Sequence, residues 1–310
     1  MEHRHTPAPP DMLPWPVEAA RTDENEFRWN DGGFNRVFDF HGDPTTAGLT
    51  LFSDGNHHMA LEQVLRAFVA QYPAVGDVFY VTLPPNVIAS MLTSGEIRLG
   101  NLRLTLAPQV FISPLDVLEP LSRHGPIHRI QPFARSRGCA LMVVRGNPRG
   151  VRGMRDLYRD DIRLFLSNPE RERASFRTYS ETLCALARAA GLDAGALADR
   201  LEHSNPACMH GRLVHHREAP AALASGQADV AVLYHHLALR YLRVFPDHFE
   251  MVALPGNADA GPFAHHVVTT YGVGLIGDGG PWGPQFHEFL RQDAAAQTYR
   301  THGLDAPLIA

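Results

Sequence analysis

The amino-acid sequence predicts an α/β fold. Short apolar runs alternate with longer segments whose apolar residues recur at helical spacing, and glycine closes several of those segments. The chain has 310 residues, which suits one large domain or two lobes of about 150 residues each. Repeated strand–helix units imply parallel strands, whose ligands bind beyond the carboxyl ends of the sheet.

The first half of the chain contains three predicted strand–helix units. The run LTLF at 49–52 predicts a buried strand, and a one-sided apolar pattern predicts a helix over 59–72. A second strand at 77–83 leads into a helix that ends at Gly95, and a third strand spans 104–114 before another helix. The three strand-to-helix corners are candidate ligand loops: Ser53–His58, Pro84–Asn86 and Ser113–Pro114.

The second half repeats this alternation. Further strands are predicted at 138–146, 162–170, 228–236, 249–254 and 267–276. Helices are predicted at 174–190 and 217–227, and a final amphipathic helix ends at Gly303. The residues before about position 45 are rich in proline and predict an irregular arm.

Composition excludes several classes of function. The net charge of -5 argues against a nucleic-acid partner. No apolar run approaches the roughly 18 residues of a membrane span. The N-terminus has no apolar region of the kind that signal peptides contain. We therefore expect a cytoplasmic protein, or a periplasmic one if an export signal has been removed.

An ordered set of segments carries a family resemblance. The segments are LTLFSDGNHHMALEQVLRAFVAQYP, VFISPLDVLEPLSRHGPI, GCALMVVRGNP, ASGQADVAVLYHHLAL and FHEFLRQDAAAQTYRTHGLDAP. In this order, over about residues 48–307, they resemble the type II periplasmic solute-binding proteins, and within them the molybdate-binding branch.

The resemblance implies two Rossmann-like lobes with a ligand cleft between them, the type II periplasmic-binding-protein fold. By chain order, residues 1–45 would be the arm, 46–132 plus 250–310 lobe one, and 133–249 lobe two. It also implies ligand contacts for the oxyanion of the family. Carried over by position, these fall on Ser53, Asn56 and His57 in the first loop, Asn86 in the second, and Tyr234.

Histidine doublets suggest a different ligand. Imidazole is the commonest metal ligand, and three doublets fall near predicted strand ends. With one carboxylate they give a candidate set for Zn, Cu, Ni or Fe: His57, His58, His215, His216, His235, His236 and Glu170. Adjacent strand residues point to opposite faces, so we expect at most one ligand from His235–His236 unless a loop intervenes. The bound metal would be the solute, and no resident cofactor is required.

We therefore expect a solute-binding protein, not an enzyme, because the sequence has no GxSxG, HExxH or P-loop motif. Its solute would be a transition metal or a metal-containing small molecule. One alternative is a tetrahedral oxyanion held by neutral or protonated imidazoles, helix N-termini, Asn86, Ser113 and Tyr234. Another is a cytoplasmic ligand sensor on the same fold. We expect a monomer that does not span the membrane, with a small solute and possibly an ABC transporter permease as partners.

Overall fold

A computed structural model describes residues 39–99, 102–212, 214–254 and 264–307. Contacts divide the chain into two units. Val37–Arg137 with Val268–Ala310 form what we call the N-terminal unit, and Gly138–Val267 form the central unit. The chain changes unit after Arg137 and after Val267, whereas the sequence placed the crossings after residues 132 and 249.

Both units alternate strands with helices. In chain order, the strands in the described residues are β1 (Phe40–His41), β2 (Leu49–Ser53), β3 (Val78–Thr82), β4 (Ile97–Leu99), β5 (Leu102–Leu104), β6 (Val110–Pro114), β7 (Ile127–Arg135), β8 (Cys139–Val144), β9 (Leu164–Leu166), β10 (Cys208–His210), β11 (Val230–Tyr234), β12 (Phe249–Val252) and β13 (Thr270–Ile276). The α-helices are α1 (His58–Gln71), α2 (Pro85–Ser94), α3 (Leu115–His124), α4 (Arg173–Ala189), α5 (Ala194–Glu202), α6 (His215–Ala224), α7 (His235–Val244), α8 (Gly283–Phe289) and α9 (Asp293–Thr301).

The N-terminal unit contains a six-stranded sheet in the order β1-β3-β2-β6-β13-β7. Strand β2 is parallel to β3 and β6, whereas β13 is antiparallel to β6 and β7. Helix α1 packs its predicted apolar face, including Leu61, Val64 and Phe68, into the core. Gly95 ends α2 in the left-handed conformation at φ 70°, as the sequence predicts.

The central unit contains a five-stranded sheet in the order β10-β9-β11-β8-β12. Strands β10, β9 and β11 are parallel to one another, and β8 runs antiparallel to β11 and β12. The Asp193 side chain accepts hydrogen bonds from the Gly195 and Ala196 N–H groups and so caps α5. In the part of the chain that the structure describes, no helix has the length and apolar content that a bilayer crossing requires.

The predicted α/β class is confirmed, but several boundaries differ. His235 and His236 begin α7 and do not lie in a strand, so the strand-alternation argument for this doublet is wrong. His215 and His216 are the first residues of α6. The strand predicted at 162–170 covers only Leu164–Leu166, which places the residues after it in a strand-to-helix loop.

Candidate functional site

The carboxyl ends of β2, β3 and β6 lie side by side in the N-terminal unit. Ser53, the last residue of β2, pairs with Thr82 of β3 and with Ile112 of β6. Helices α1, α2 and α3 begin just after these strands, and none of them has a side-chain cap. Helix N-termini present N–H groups and a partial positive charge. The arrangement is therefore suited to a small anion.

Ser113 is the most distinctive polar residue at this edge. It directly follows Ile112 and lies two residues before α3. Its side chain is fully buried, and its hydroxyl has no hydrogen-bond partner among the described residues. A buried hydroxyl without a partner costs free energy, so a solute that accepts its hydrogen bond would remove that cost. The sequence predicted this residue as a ligand.

Asp54 and Asn56 form a compact turn after β2. The Asp54 carboxylate accepts hydrogen bonds from the Asn56 backbone N–H at 3.1 Å and its side-chain amide at 3.3 Å. Burial raises the pKa of Asp54 to about 7, although these two hydrogen bonds oppose the rise. The Asn56 amide, predicted to contact a ligand, thus contacts Asp54.

His57 lies inside the N-terminal unit. Its Nε2 is 3.1 Å from Ser53 Oγ and its Nδ1 is 3.1 Å from Tyr299 Oη. Its ring also packs against Phe133 and Tyr271. Burial lowers the pKa of His57 to about 3, so the ring is neutral. Metal binding through this side chain would require breaking one of its two hydrogen bonds.

The next histidine differs from His57 in its surroundings. His58 is half-buried, and its Nδ1 donates to the Gly55 carbonyl at 2.7 Å. Of the other predicted ligand residues in this unit, Asn86 is the second residue of α2. The Asn86 side chain lies outside the part that the structure describes.

Hydroxyl groups also mark the carboxyl ends of the parallel strands in the central unit. Ser167 directly follows β9, is fully buried, and has no hydrogen-bond partner in the described part of the chain. Sequence reasoning missed it, because the predicted strand ran through it to residue 170. Tyr234, which ends β11, is buried and donates to Thr178 Oγ1 at 3.3 Å.

Two helices of the central unit begin differently. At the start of α6, two carboxylates accept hydrogen bonds from backbone N–H groups. The Val214 N–H donates to Glu218 at 2.9 Å, and the His215 N–H donates to Glu172 at 3.0 Å. Burial raises the pKa of Glu172 to about 7. By contrast, no side chain caps α7; the His235 N–H donates to the Gly138 carbonyl at 2.9 Å, so an anion could meet only the N–H groups that follow it.

The remaining predicted metal ligands differ in exposure. His215 is buried, donates through Nε2 to the Phe165 carbonyl at 3.3 Å, and has a pKa lowered by burial to about 3. His216 and His236 are buried, His235 is half-buried and Glu170 is exposed. Within the described ranges, no three His, Cys, Asp or Glu side chains form a group that could hold a metal ion. Metal binding therefore stays a prediction.

Comparison with known proteins gives a family match. Residues 49–305 match the family model described as bacterial extracellular solute-binding protein. This match covers well over half of the chain and includes both units. No curated protein matches the chain.

Solved structures are similar in fold. The sulfate-binding protein SubI from Mycobacterium tuberculosis has a TM-score of 0.58 at 16% identity, over 83% of this chain and 85% of that one. The periplasmic molybdate-binding protein of Azotobacter vinelandii has 0.52 at 14%, over 84% and 99%. Iron-bound HitA from Pseudomonas aeruginosa has 0.54 at 12%, over 84% and 89%. At these identities the similarity concerns the fold alone.

Proposed function

Because this chain belongs to the bacterial extracellular solute-binding protein family, we propose that it binds a small anionic solute, a tetrahedral oxyanion of the sulfate or molybdate kind. The family consists of solute-binding proteins and not of enzymes. The choice of an anion over a metal is our own inference from the polar groups at the strand ends. The sulfate- and molybdate-binding proteins of similar fold are consistent with it.

The observation that carries the proposal is the buried hydroxyl of Ser113. It lies where three uncapped helices begin, and it has no partner in the described structure. A hydroxyl can donate to an oxyanion, and hydrogen bonds to charged groups stabilise by about 1.5–3 kcal/mol. Ser167 has the same character in the central unit.

The Asp54 carboxyl would repel an anion if it were ionised. Its pKa of about 7 keeps a large part of it protonated near neutral pH. Its hydrogen bonds from Asn56 also spread whatever charge it carries. A buried carboxyl is thus compatible with an anionic solute at the neighbouring Ser113.

A transition metal is the second candidate solute. It is favoured by His58 and His235, which are half-buried and are the first residues of α1 and α7. The similar fold of an iron-bound protein is consistent with it. Either imidazole could supply a metal ligand within its own unit, and exposed Glu170 could supply an oxygen in the central unit.

We further propose that the protein acts outside the cytoplasm as a monomer. It would deliver its solute to the permease of an ABC transporter, which is the usual association in this family. The location and the transporter partner rest on the family match.

A thermal-unfolding screen tests the choice of solute. Sulfate, molybdate and phosphate are compared with Zn, Cu, Ni and Fe salts, with sodium chloride at equal ionic strength as the control. A solute at 100 times its Kd stabilises the folded state by about 2.7 kcal/mol, which is a rise of several degrees in Tm. Stabilisation by an oxyanion supports the proposal. Stabilisation only by metals, abolished by a chelator, would replace it with the second candidate.

A further inference from the structure

A series of three buried hydrogen bonds connects helix α9 to the loop after β2. Tyr299 Oη lies 3.1 Å from His57 Nδ1, and His57 Nε2 lies 3.1 Å from Ser53 Oγ. Ser53 Oγ in turn donates to the Asp54 carbonyl at 3.0 Å. All three side chains are at most 1% exposed. The bonds thus link residues that are 242 positions apart in the sequence.

The number of protons that these groups can donate decides which group is the donor in each hydrogen bond. The Tyr299 hydroxyl, the neutral His57 ring and the Ser53 hydroxyl each have one proton to donate. All three bonds form if Tyr299 donates to Nδ1, Nε2–H donates to Ser53, and Ser53 donates to the Asp54 carbonyl. In the opposite direction Ser53 would donate to Nε2, and the carbonyl would lose its bond. The first arrangement keeps every contact and makes His57 the Nε2–H tautomer.

The nearby carboxylate favours the same tautomer. Asp54 Oδ1 lies 3.6 Å from His57 Nε2, so when Asp54 is ionised a hydrogen on Nε2 faces a negative oxygen. A bare Nε2 lone pair at this position would be repelled by it. Electrostatics and proton counting therefore agree.

We propose that His57 and Tyr299 are positioning residues that hold the Ser53 hydroxyl on the Asp54 carbonyl and thereby fix the first solute loop, Ser53–His58. The proton of Ser53 is then committed to the backbone. The hydroxyl donor toward the solute is Ser113, which follows the β6 residue paired with Ser53. The consequence for affinity rests on the proposed function, whereas the direction of the hydrogen bonds does not.

The tautomer is measured on the solute-free protein. Long-range ¹H–¹⁵N spectra of histidine rings are expected to show His57 as Nε2–H, with a hydrogen-bonded Nδ1. Tyr299→Phe removes the donor to Nδ1, so its ¹⁵N shift should move toward that of an unbonded nitrogen. Tyr72→Phe is the matched control, because the Tyr72 hydroxyl bonds to exposed Gln71. A His57 ring in the Nδ1–H form, or one unaffected by Tyr299→Phe, would overturn the proposal.

Affinity for sulfate and molybdate tests the positioning role. Tyr299→Phe and Ser53→Ala should each weaken binding about tenfold, the value of one hydrogen bond. Because both act through one series of bonds, the double variant should lose little more than either single variant. A loss confined to Ser53→Ala would instead make Ser53 a direct ligand and contradict the proposal. If the wild type binds neither anion, the proposed function fails, and the tautomer alone decides whether the hydrogen bonds run as inferred.

Discussion

At the scale of single residues, the buried polar side chains discussed above are of two kinds. Some lack a hydrogen-bond partner among the described residues, and others bond within their own unit. The hydroxyls of Ser113 and Ser167 have no partner among the described residues, so they can contact a solute without losing an internal bond. His57 and His215 instead bond to groups of their own unit, at Ser53, Tyr299 and the Phe165 carbonyl. The missing partners make the two serines binding candidates, whereas the hydrogen bonds of the two histidines hold those rings within their own units.

The raised pKa of Asp54 predicts how this carboxyl contributes to the pH dependence of the free energy of unfolding. Its pKa is 3.8 ordinarily and about 7 when buried in the folded chain. Below about pH 3.8 both states are protonated and the group has no effect. As pH rises from there to about 7, the unfolded chain releases the proton while the folded chain keeps it, so the free energy of unfolding falls. Above about pH 7 the effect is constant.

Urea unfolding at a series of pH values checks this dependence. Asp54→Asn keeps an acceptor for the Asn56 N–H and removes this contribution, so the free energy of unfolding of the variant relative to the wild type should rise between pH 4 and 7. Asp278→Asn is the control, since this exposed residue makes a similar bond to the Gly280 N–H. An unchanged pH profile in Asp54→Asn would show that Asp54 ionises in the folded protein as it does in the unfolded chain.

Local sequence identified some of these residues and not others. Ser53 and Ser113 could be placed because each ends an apolar run before a helical pattern. His57 also lies between a strand and a helix, so its position predicted a ligand. Its partner Tyr299 is distant in sequence, and no local pattern could have predicted their contact. Ser167 was missed since the apolar pattern of β9 did not reveal where the strand ends.

At the scale of helices and strands, some boundaries could also be predicted from local sequence and others could not. The ends of α1, α2 and α3 follow from apolar periodicity and glycine, so those elements were predicted within a few residues. The doublet His235–His236 was assigned to a strand because VAVLYHH continues an apolar run. In the structure the strand stops at Tyr234, and helix α7 follows without a glycine or a polar cap to mark its start.

The close packing of Gly138 at the start of β8 predicts that a side chain there would destabilise the protein. It precedes β8 at φ 75°, and a Cβ at this position would lie 2.3 Å from His266 Nδ1. That nitrogen accepts a hydrogen bond from the Cys139 N–H at 3.0 Å. Gly138→Ala should therefore combine backbone strain with displacement of the His266 ring and lower the free energy of unfolding.

Gly226→Ala separates the two contributions. Gly226 has φ 66°, and a Cβ there would meet nothing within 4 Å, so only strain of about 1–2 kcal/mol is expected. Urea unfolding should show a larger loss for Gly138→Ala than for Gly226→Ala. Equal losses would mean that the His266 ring moves aside at no cost.

At the scale of the whole molecule, sequence patterns could predict the fold but not the identity of the solute. Strand–helix alternation and five ordered segments were enough for the two-lobed α/β class and the family, which the match over residues 49–305 supports independently. The identity of the solute depends on which buried groups lack partners. Those partners come from contacts between distant elements, so histidine doublets that looked like metal ligands include rings held within the core.

Calorimetric titration of sulfate and molybdate into the wild type and two serine variants tests whether the protein binds an oxyanion through Ser113. We expect that one of these anions binds, that Ser113→Ala weakens binding at least tenfold, and that Ser94→Ala, at an exposed helix end, leaves it unchanged. Absence of binding to the wild type, or full affinity in the Ser113 variant, would contradict the proposed function.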